Sequence, residues 1–336
     1  MKRLMALAFG AAVALVQPTA ANADFNDNKP ITITTGGISS QGFFKVVVES
    51  LHALYRDVYP GSSVTFKPGS IAGGMVQATK GEADIIPAIP PVEYKAALDG
   101  TEPFASSMKG KFGHLFTIMN NLEFYFIATK AWADKNGIKT VADIGRVKPK
   151  GNYALSAKGT FYINVAAEEI FKTYGFSSAD LEKWGSLQWV ASGPMIDDMR
   201  DGKVDFFIVA GFHPDQRLAD LAKSREVVWI SVEPATLQKV ADKLDMSVFT
   251  MPKSMYAFMT KDEPSLRAAV SYAAASATSE ETAYKITKAV WNNIDRVKAI
   301  HPSFKEFSRE LMVSKFKIAD YHPGAARFYR EQGVLK

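Results

Sequence analysis

The stretch Ile31-Thr32-Ile33-Thr34-Thr35-Gly36-Gly37-Ile38-Ser39-Ser40-Gln41-Gly42-Phe43-Phe44-Lys45-Val46-Val47-Val48-Glu49-Ser50-Leu51-His52-Ala53-Leu54 decides the fold. Its first five residues alternate and are β-branched, which predicts a strand. Gly36, Gly37 and Gly42 break the pattern. From Phe43 to Arg56 the apolar positions Phe44, Val47, Val48, Leu51 and Leu54 recur at helical spacing, which predicts a helix with one buried face. Strands are also predicted at Val64–Phe66 and Ala83–Ile86, with a short helix over Met75–Lys80 ending at Gly81. Strand, loop, helix, strand, helix, strand is the order of a parallel sheet covered by helices.

The same order returns further along. Strands are predicted at Tyr125–Ala128, Tyr153–Ser156, Leu187–Val190, Val204–Val209 and Val227–Ile230, with helices at Ile163–Tyr174 and Met195–Asp201. The last third reads as mainly helical, over Glu263–Ala277, Glu281–Ile300 and Phe304–Leu311. The expectation is an α/β protein of two similar lobes: residues 24–128 with 247–336, and residues 129–246. The chain crosses between them near Phe124–Thr129 and Val248–Thr260. Two such lobes bind ligand in the cleft between them, beyond the carboxyl ends of the strands. There, loop N–H groups and helix N-termini favour an anion.

Upstream, Lys2-Arg3 precede an uninterrupted apolar run from Leu4 to Val16, followed by Pro18 and Ala21-Asn22-Ala23. This is the order of a secretory signal peptide, residues 1–23. The run is shorter than the ~20 residues that span a bilayer, so the mature chain is expected outside the cytoplasmic membrane and not itself membrane-spanning. A formal charge of +5, two of it in Lys2 and Arg3, is too small and too dispersed for a nucleic-acid footprint. The absence of cysteine excludes disulfides, thiolate metal sites and a cysteine nucleophile. His52, His114, His213, His301 and His322 include no pair at metal-ligand spacing, and neither a Gly-x-Ser-x-Gly elbow nor a phosphate-binding Gly-x-x-x-x-Gly-Lys loop occurs. No metal and no cofactor are expected.

The series Thr35-Gly36-Gly37, Gly42 with two aromatics, Gly69-Ser70, Gly81-Glu82-Ala83-Asp84, Ile138-Lys139-Thr140-Val141-Ala142-Asp143-Ile144, Lys158-Gly159-Thr160, Asp201-Gly202-Lys203-Val204-Asp205, Val209-Ala210-Gly211 and His322-Pro323-Gly324-Ala325-Ala326-Arg327-Phe328-Tyr329-Arg330 covers nearly the whole mature chain. It resembles the TAXI family of extracytoplasmic solute receptors, the substrate-binding subunits of TRAP transporters. The resemblance implies a type II periplasmic-binding-protein fold, a membrane permease partner driven by an ion gradient, and ligands that lean towards organic acids and acidic amino acids. The sequence departs from the family at Ile38-Ser39-Ser40-Gln41, usually richer in Gly and Thr. It departs again at Phe43 and Phe44, usually Tyr, and at Pro87-Ala88-Ile89-Pro90-Pro91, usually containing Gln. At Lys158 the usual residue is small.

Several ligand candidates follow. Gly37, Ser39, Ser40 and Gln41 offer polar groups at a strand end, and Ser70, Ser156 and Thr160 stand similarly. Each hydroxyl either meets ligand or caps a helix. Lys158, with the N–H groups of Gly159 and Thr160, is the candidate anion partner; the alternative is a solvated surface lysine. Phe43 and Ile89 would form apolar wall. Adjacent Phe43 and Phe44 are expected to diverge, one into the core and one into the cleft, the alternative being that both lie in the core. Gly211, Phe212 and His213 close a strand in the second lobe, His213 being either a donor or structural. The expected function is a periplasmic receptor that captures a small organic anion for a TRAP permease. An ABC transporter or a sensor kinase is the alternative destination. An enzyme on the same scaffold is disfavoured, because only Lys158 and His213 offer reactive groups.

Overall fold

Two glycine–aspartate turns build the two halves of the molecule in the same way. The computed structural model describes residues 25–38, 40, 43–158, 160–212 and 214–336; the expected signal peptide, Ser39, Gln41, Gly42, Gly159 and His213 lie outside them. Ten strands are named in chain order: β1 Thr32–Ile38, β2 Ser63–Pro68, β3 Ile85–Ile89, β4 Phe112–Thr129, β5 Asn152–Ser156, β6 Ser186–Val190, β7 Phe206–Gly211, β8 Val227–Trp229, β9 Ser247–Met251 and β10 Glu263–Ala275. Three helices of the first half are α1 Phe43–Val58, α2 Ile71–Thr79 and α3 Pro91–Asp99.

In the first half α2 ends just before Gly81, whose φ is +74°. Asp84 then clamps β1: its Oδ2 accepts from the Thr34 N–H at 2.7 Å, while its own N–H donates to the Thr34 carbonyl at 2.8 Å. In the second half the helix Ser192–Arg200 ends before Gly202, φ +80°. Asp205 clamps Asn152 at the start of β5 through the same two bonds, 2.8 and 2.7 Å. Glycine is needed at both turns because each occupies the left-handed region. The aspartates fix register, so the buried Ala83 and Val204 feed the strands that follow.

The strands form one continuous sheet in the order β2-β1-β3-β10-β4-β7-β5-β6, with β8 against β4 and β9 against β10. Pairing is parallel within β2-β1-β3 and within β7-β5-β6. The long β4 and β10 run antiparallel to their neighbours and join the two sets. Over its first two-thirds β4 pairs β10, and from Glu123 to Ala128 it pairs β7. Glu123 belongs to both registers, opposite Arg267 on one side and Gly211 on the other. Its carboxylate is fully buried and accepts from Arg267 Nε at 3.1 Å and Nη2 at 2.6 Å. The guanidinium also lies over the Phe249 ring at 4.4 Å.

β10 corrects the sequence reading, which expects a helix over Glu263–Ala277. Ala and Leu favour helix by fractions of a kcal/mol per residue, a weak prior that tertiary context overrides. Here the segment is inserted between β3 and β4 and buried along most of its length. Its alanines let neighbouring elements approach closely on both faces. The expected helix Glu281–Ile300 is two helices, Glu280–Trp291 and Ile294–Lys298, broken at Asn292-Asn293. In place of a helix over Phe304–Leu311 stand a single turn at Pro302–Phe304 and a short helix Arg309–Val313. The first described residues are tied to the C-terminal helices: Asp27 pairs with the buried Lys285, and Arg327 lies over the Phe25 ring at 4.2 Å.

Gly37 and Gly74 bring α2 into backbone contact with the end of β1. A Cβ on Gly74 would stand 2.3 Å from the Gly37 Cα, and one on Gly37, φ +94°, would stand 2.9 Å from the Gly74 Cα. Neither backbone can yield without parting strand from helix. Gly74→Ala is therefore expected to cost about 1–3 kcal/mol, the range for an overpacked interior; a urea midpoint within error of wild type would show that the contact is not tight.

Candidate functional site

The carboxyl ends of β1, β3, β5 and β7 converge, and aromatic rings from the two halves meet there. Phe43, the first residue of α1, lies against Phe212, the residue after β7, with ring centroids 4.3 Å apart. Phe44 meets Phe212 edge-on at 5.9 Å. His301 and Phe304 close around Phe43 at 5.0 and 5.8 Å. Phe43 and Phe44 do not diverge as expected: both are half-buried and both touch Phe212. A ring is wide enough to be approached by its face and its edge from successive residues.

The other candidates divide. Ser40 is exposed at the end of β1, and Gly37 is buried in the α2 contact. Ser70 caps α2, accepting from the Gly73 N–H at 3.1 Å. Ile89 is fully buried among Met75, Ile86, Tyr94 and Phe112, because β3 lies between β1 and β10 under α2 and α3; in this conformation it presents no wall to a cleft. Ser156 is buried, and its carbonyl accepts from Asn164 Nδ2 at 3.0 Å. Lys158 is exposed, its Nζ 5.7 Å from the centre of the Trp189 ring. Thr160 precedes the helix Phe161–Thr173 without capping it by its side chain. Gly211 is buried where a Cβ would meet Asp215 Oδ2 at 2.8 Å.

The anion site expected at that helix is already partly filled by the protein. The Thr160 N–H donates to the Ala157 carbonyl at 2.7 Å. The Tyr162 N–H donates to Glu93 Oε1 at 3.1 Å, across from α3 in the other half. Burial pushes the Glu93 carboxyl up to about 8, against the lowering effect of the Tyr162 N–H and of its own. No local signal in the sequence marks this contact, since its partners are 69 residues apart.

Beside Gly211 stands a second polar group that the sequence does not announce. The buried Asp215 carboxylate holds the Arg217 guanidinium through Nε, at 2.9 Å, and Nη2. Arg217 Nη1 donates to Ser192 Oγ at 2.8 Å, at the start of the helix Ser192–Arg200. The Asp215 N–H donates to Tyr256 Oη at 2.8 Å. Three contacts fix the guanidinium and leave N–H groups free by valence, since arginine has five. Among the described residues no cluster of three or more His, Cys, Asp and Glu is placed to hold a metal. No described helix is long and apolar enough to cross a membrane.

This arrangement is the two-lobed solute-binding fold of periplasmic binding proteins. It is similar to MatC from Rhodopseudomonas palustris, solved with bound malate, at a TM-score of 0.50 and 14% identity over 82% of this chain and 88% of that one. A protein from Bordetella bronchiseptica RB50 matches with a TM-score of 0.49 and 14% identity over 91% and 89%. The periplasmic aliphatic sulphonate binding protein SsuA from Escherichia coli matches with 0.45 and 13% over 91% and 89%. At these identities the likeness concerns the fold. The profile of the NMT1-like family matches residues 34–333, and the chain belongs to that family.

The Phe43–Phe212 contact is open to a direct check. An aromatic pair contributes about 0.5–1.5 kcal/mol beyond its buried area. A double-mutant cycle of Phe43→Ala and Phe212→Ala, read by urea unfolding, is expected to show coupling of that size; strict additivity would mean that the rings do not meet in the solute-free protein.

Proposed function

We propose that the protein is a periplasmic solute receptor that closes two lobes, residues 24–128 with 247–336 and residues 129–246, around a small organic anion. The observation that carries this reading is the meeting of Phe43 and Phe44 with Phe212 at the convergent strand ends, in a chain of this family and fold. Apolar rings face the solute where hydroxyls would otherwise stand, so a carboxylate with an apolar or aromatic portion fits better than a polar diacid. An unpaired buried polar group costs about 1–3 kcal/mol, which disfavours solutes with hydroxyl or amide groups at that end. Malate, held by MatC on the same fold, supports the carboxylate but is itself a hydroxylated diacid, without the apolar end proposed here. Lys158 and Arg217 supply cations on the second-lobe side. We assign the chain to the TAXI receptors, and its partner to a TRAP permease driven by an ion gradient, from the motif order and the His322–Arg330 ending. Delivery to an ABC transporter suits the fold equally well. Uptake that follows an imposed ion gradient without ATP would distinguish the first from the second.

The test is a thermal-shift screen of the mature protein against organic acids and amino acids. A true solute at 100 times its dissociation constant adds about 2.7 kcal/mol of stability. Aryl or alkyl carboxylates are expected among the hits, and a screen that stabilises only polar diacids contradicts the apolar end. For the best hit, Lys158→Met is expected to weaken binding roughly ten- to a hundredfold, since a charge-assisted hydrogen bond contributes about 1.5–3 kcal/mol. An unchanged dissociation constant makes Lys158 a surface lysine.

A further inference from the structure

Glu93 is a carboxyl group that the receptor reading leaves unexplained. It is the third residue of α3 in the first half, behind Pro90 and Pro91, and only 2% of it is exposed. One oxygen reaches across to the first turn of the helix Phe161–Thr173 in the other half, accepting the Tyr162 N–H at 3.1 Å. The other oxygen, Oε2, is buried with no hydrogen-bond partner among the described residues. The helix that carries it packs through its own Tyr94 on an apolar cluster with Ile89 and Phe112, and Phe161 of the facing helix packs on the same cluster.

The charges that face this group are few. On the facing helix the ionisable neighbour is the Tyr162 phenol, itself buried and raised by burial and by Glu93. α2 carries no ionisable residue. On β10, Glu263 and Arg267 are engaged elsewhere, with Ser231 and Glu123, and Tyr272 is buried against Phe116. On α3 itself, Lys95 and Asp99 pair with each other at the surface. Among the described residues no cation is placed to neutralise Glu93. Two helix N-termini point towards it, and a macrodipole favours an anion by a modest amount. A buried unpaired carboxylate loses far more in hydration, so neutralisation by a proton is the cheaper state.

We propose that Glu93 is a proton-dependent latch, in which closing the two halves takes up a proton on this carboxyl and the neutral group then holds the helix Phe161–Thr173 against α3. When the halves part, Glu93 meets water and returns the proton at neutral pH. The proton comes from solvent, and no other bond is made or broken. The sign follows from the shift. With the carboxyl at about 8 in the closed form and near the ordinary carboxylate value in the open form, the closed form binds more protons. Closure is then strongest in acid, weakens by about tenfold per pH unit above about pH 5, and levels off above about pH 8. Solute is held more firmly at acid pH, apart from any titration of the solute.

The absence of cysteine allows two labelling sites to be introduced cleanly. Lys67→Cys on β2 and Lys183→Cys in the helix Ser178–Trp184 are exposed positions in the two halves. Pulsed electron-resonance distances between spin labels there, in the solute-free protein from pH 5 to 9.5, are expected to show a short-distance population that falls with pH and levels near 8. Glu93→Gln keeps the acceptor for Tyr162 without the charge and is expected to hold the short distance throughout. A wild-type distribution that ignores pH, or a Glu93→Gln protein that follows the wild-type profile, overturns the latch. If Glu93→Gln does not fold by circular dichroism, Glu93→Met, which removes the titrating group together with the acceptor, is expected to give a distance distribution that does not change between pH 5 and 9.5. If neither folds, the wild-type profile decides: levelling near 8 supports Glu93, and levelling near 6.5 points to a histidine and overturns it. The inference rests on the two-lobed reading but needs no solute, so its failure leaves solute binding intact, and a failed solute screen leaves the pH response legible.

Discussion

The pairing of Glu123 with Arg267 at the middle of the sheet is the constraint on which the other features depend. β4 is 18 residues long and serves both halves, and Glu123 is the residue at which it leaves β10 and joins β7. Removing a carboxylate from water costs several kcal/mol, and the two Arg267 N–H bonds to Glu123 Oε1 roughly return that cost. The pair therefore contributes little net stability. What it supplies is position, since a buried charge tolerates only the register that brings its partner. Gly211 sits opposite Glu123, so Phe212 is placed one residue beyond the fixed point, and its meeting with Phe43 follows from strand geometry.

Around this fixed point the two halves use one plan. Asp84 and Asp205 each tie the strand after a left-handed glycine to the first strand of their unit. Because β1 and β3 run opposite to β5 and β7 and come level with β4 on either side of Thr117–Glu123, the loops after these strands face one another. Their contents differ. The first half brings Phe43 and Phe44, and the second brings Phe212, Lys158 and the Asp215–Arg217 pair. Where helix N-termini would otherwise attract a solute anion, Glu93 already takes the Tyr162 N–H. That N–H is therefore already taken within the protein.

Much of the architecture was legible in the sequence because its signals are local. Alternating Ile31–Thr35 and the face Val47, Val48, Leu51 and Leu54 each act within a few residues, and the structure has β1 and α1 there; the aspartate clamps join residues 50 and 53 apart and were not read. β10 was not legible: alanines that favour helix in isolation become strand when β3 and β4 pair them from both sides, which is a long-range effect. Ile89 was placed at a cleft by its position after a strand, yet covering helices bury it. Glu93 was missed because its partner Tyr162 lies 69 residues away, and Arg217 because the burial that makes its pair with the neighbouring Asp215 a feature comes from the tertiary fold. The strand-end loops were readable; the contacts between halves were not, because they depend on how the halves meet.

The central claim is that a solute is enclosed by movement of the two halves about β4 and β10. Small-angle scattering of the mature protein, with and without a saturating solute, tests it most directly. The account predicts a smaller radius of gyration in the bound protein and a profile that matches a two-lobed body with its cleft shut. Saturated binding with an unchanged profile would contradict it and would make the aromatic contact a fixed interior rather than a closing one.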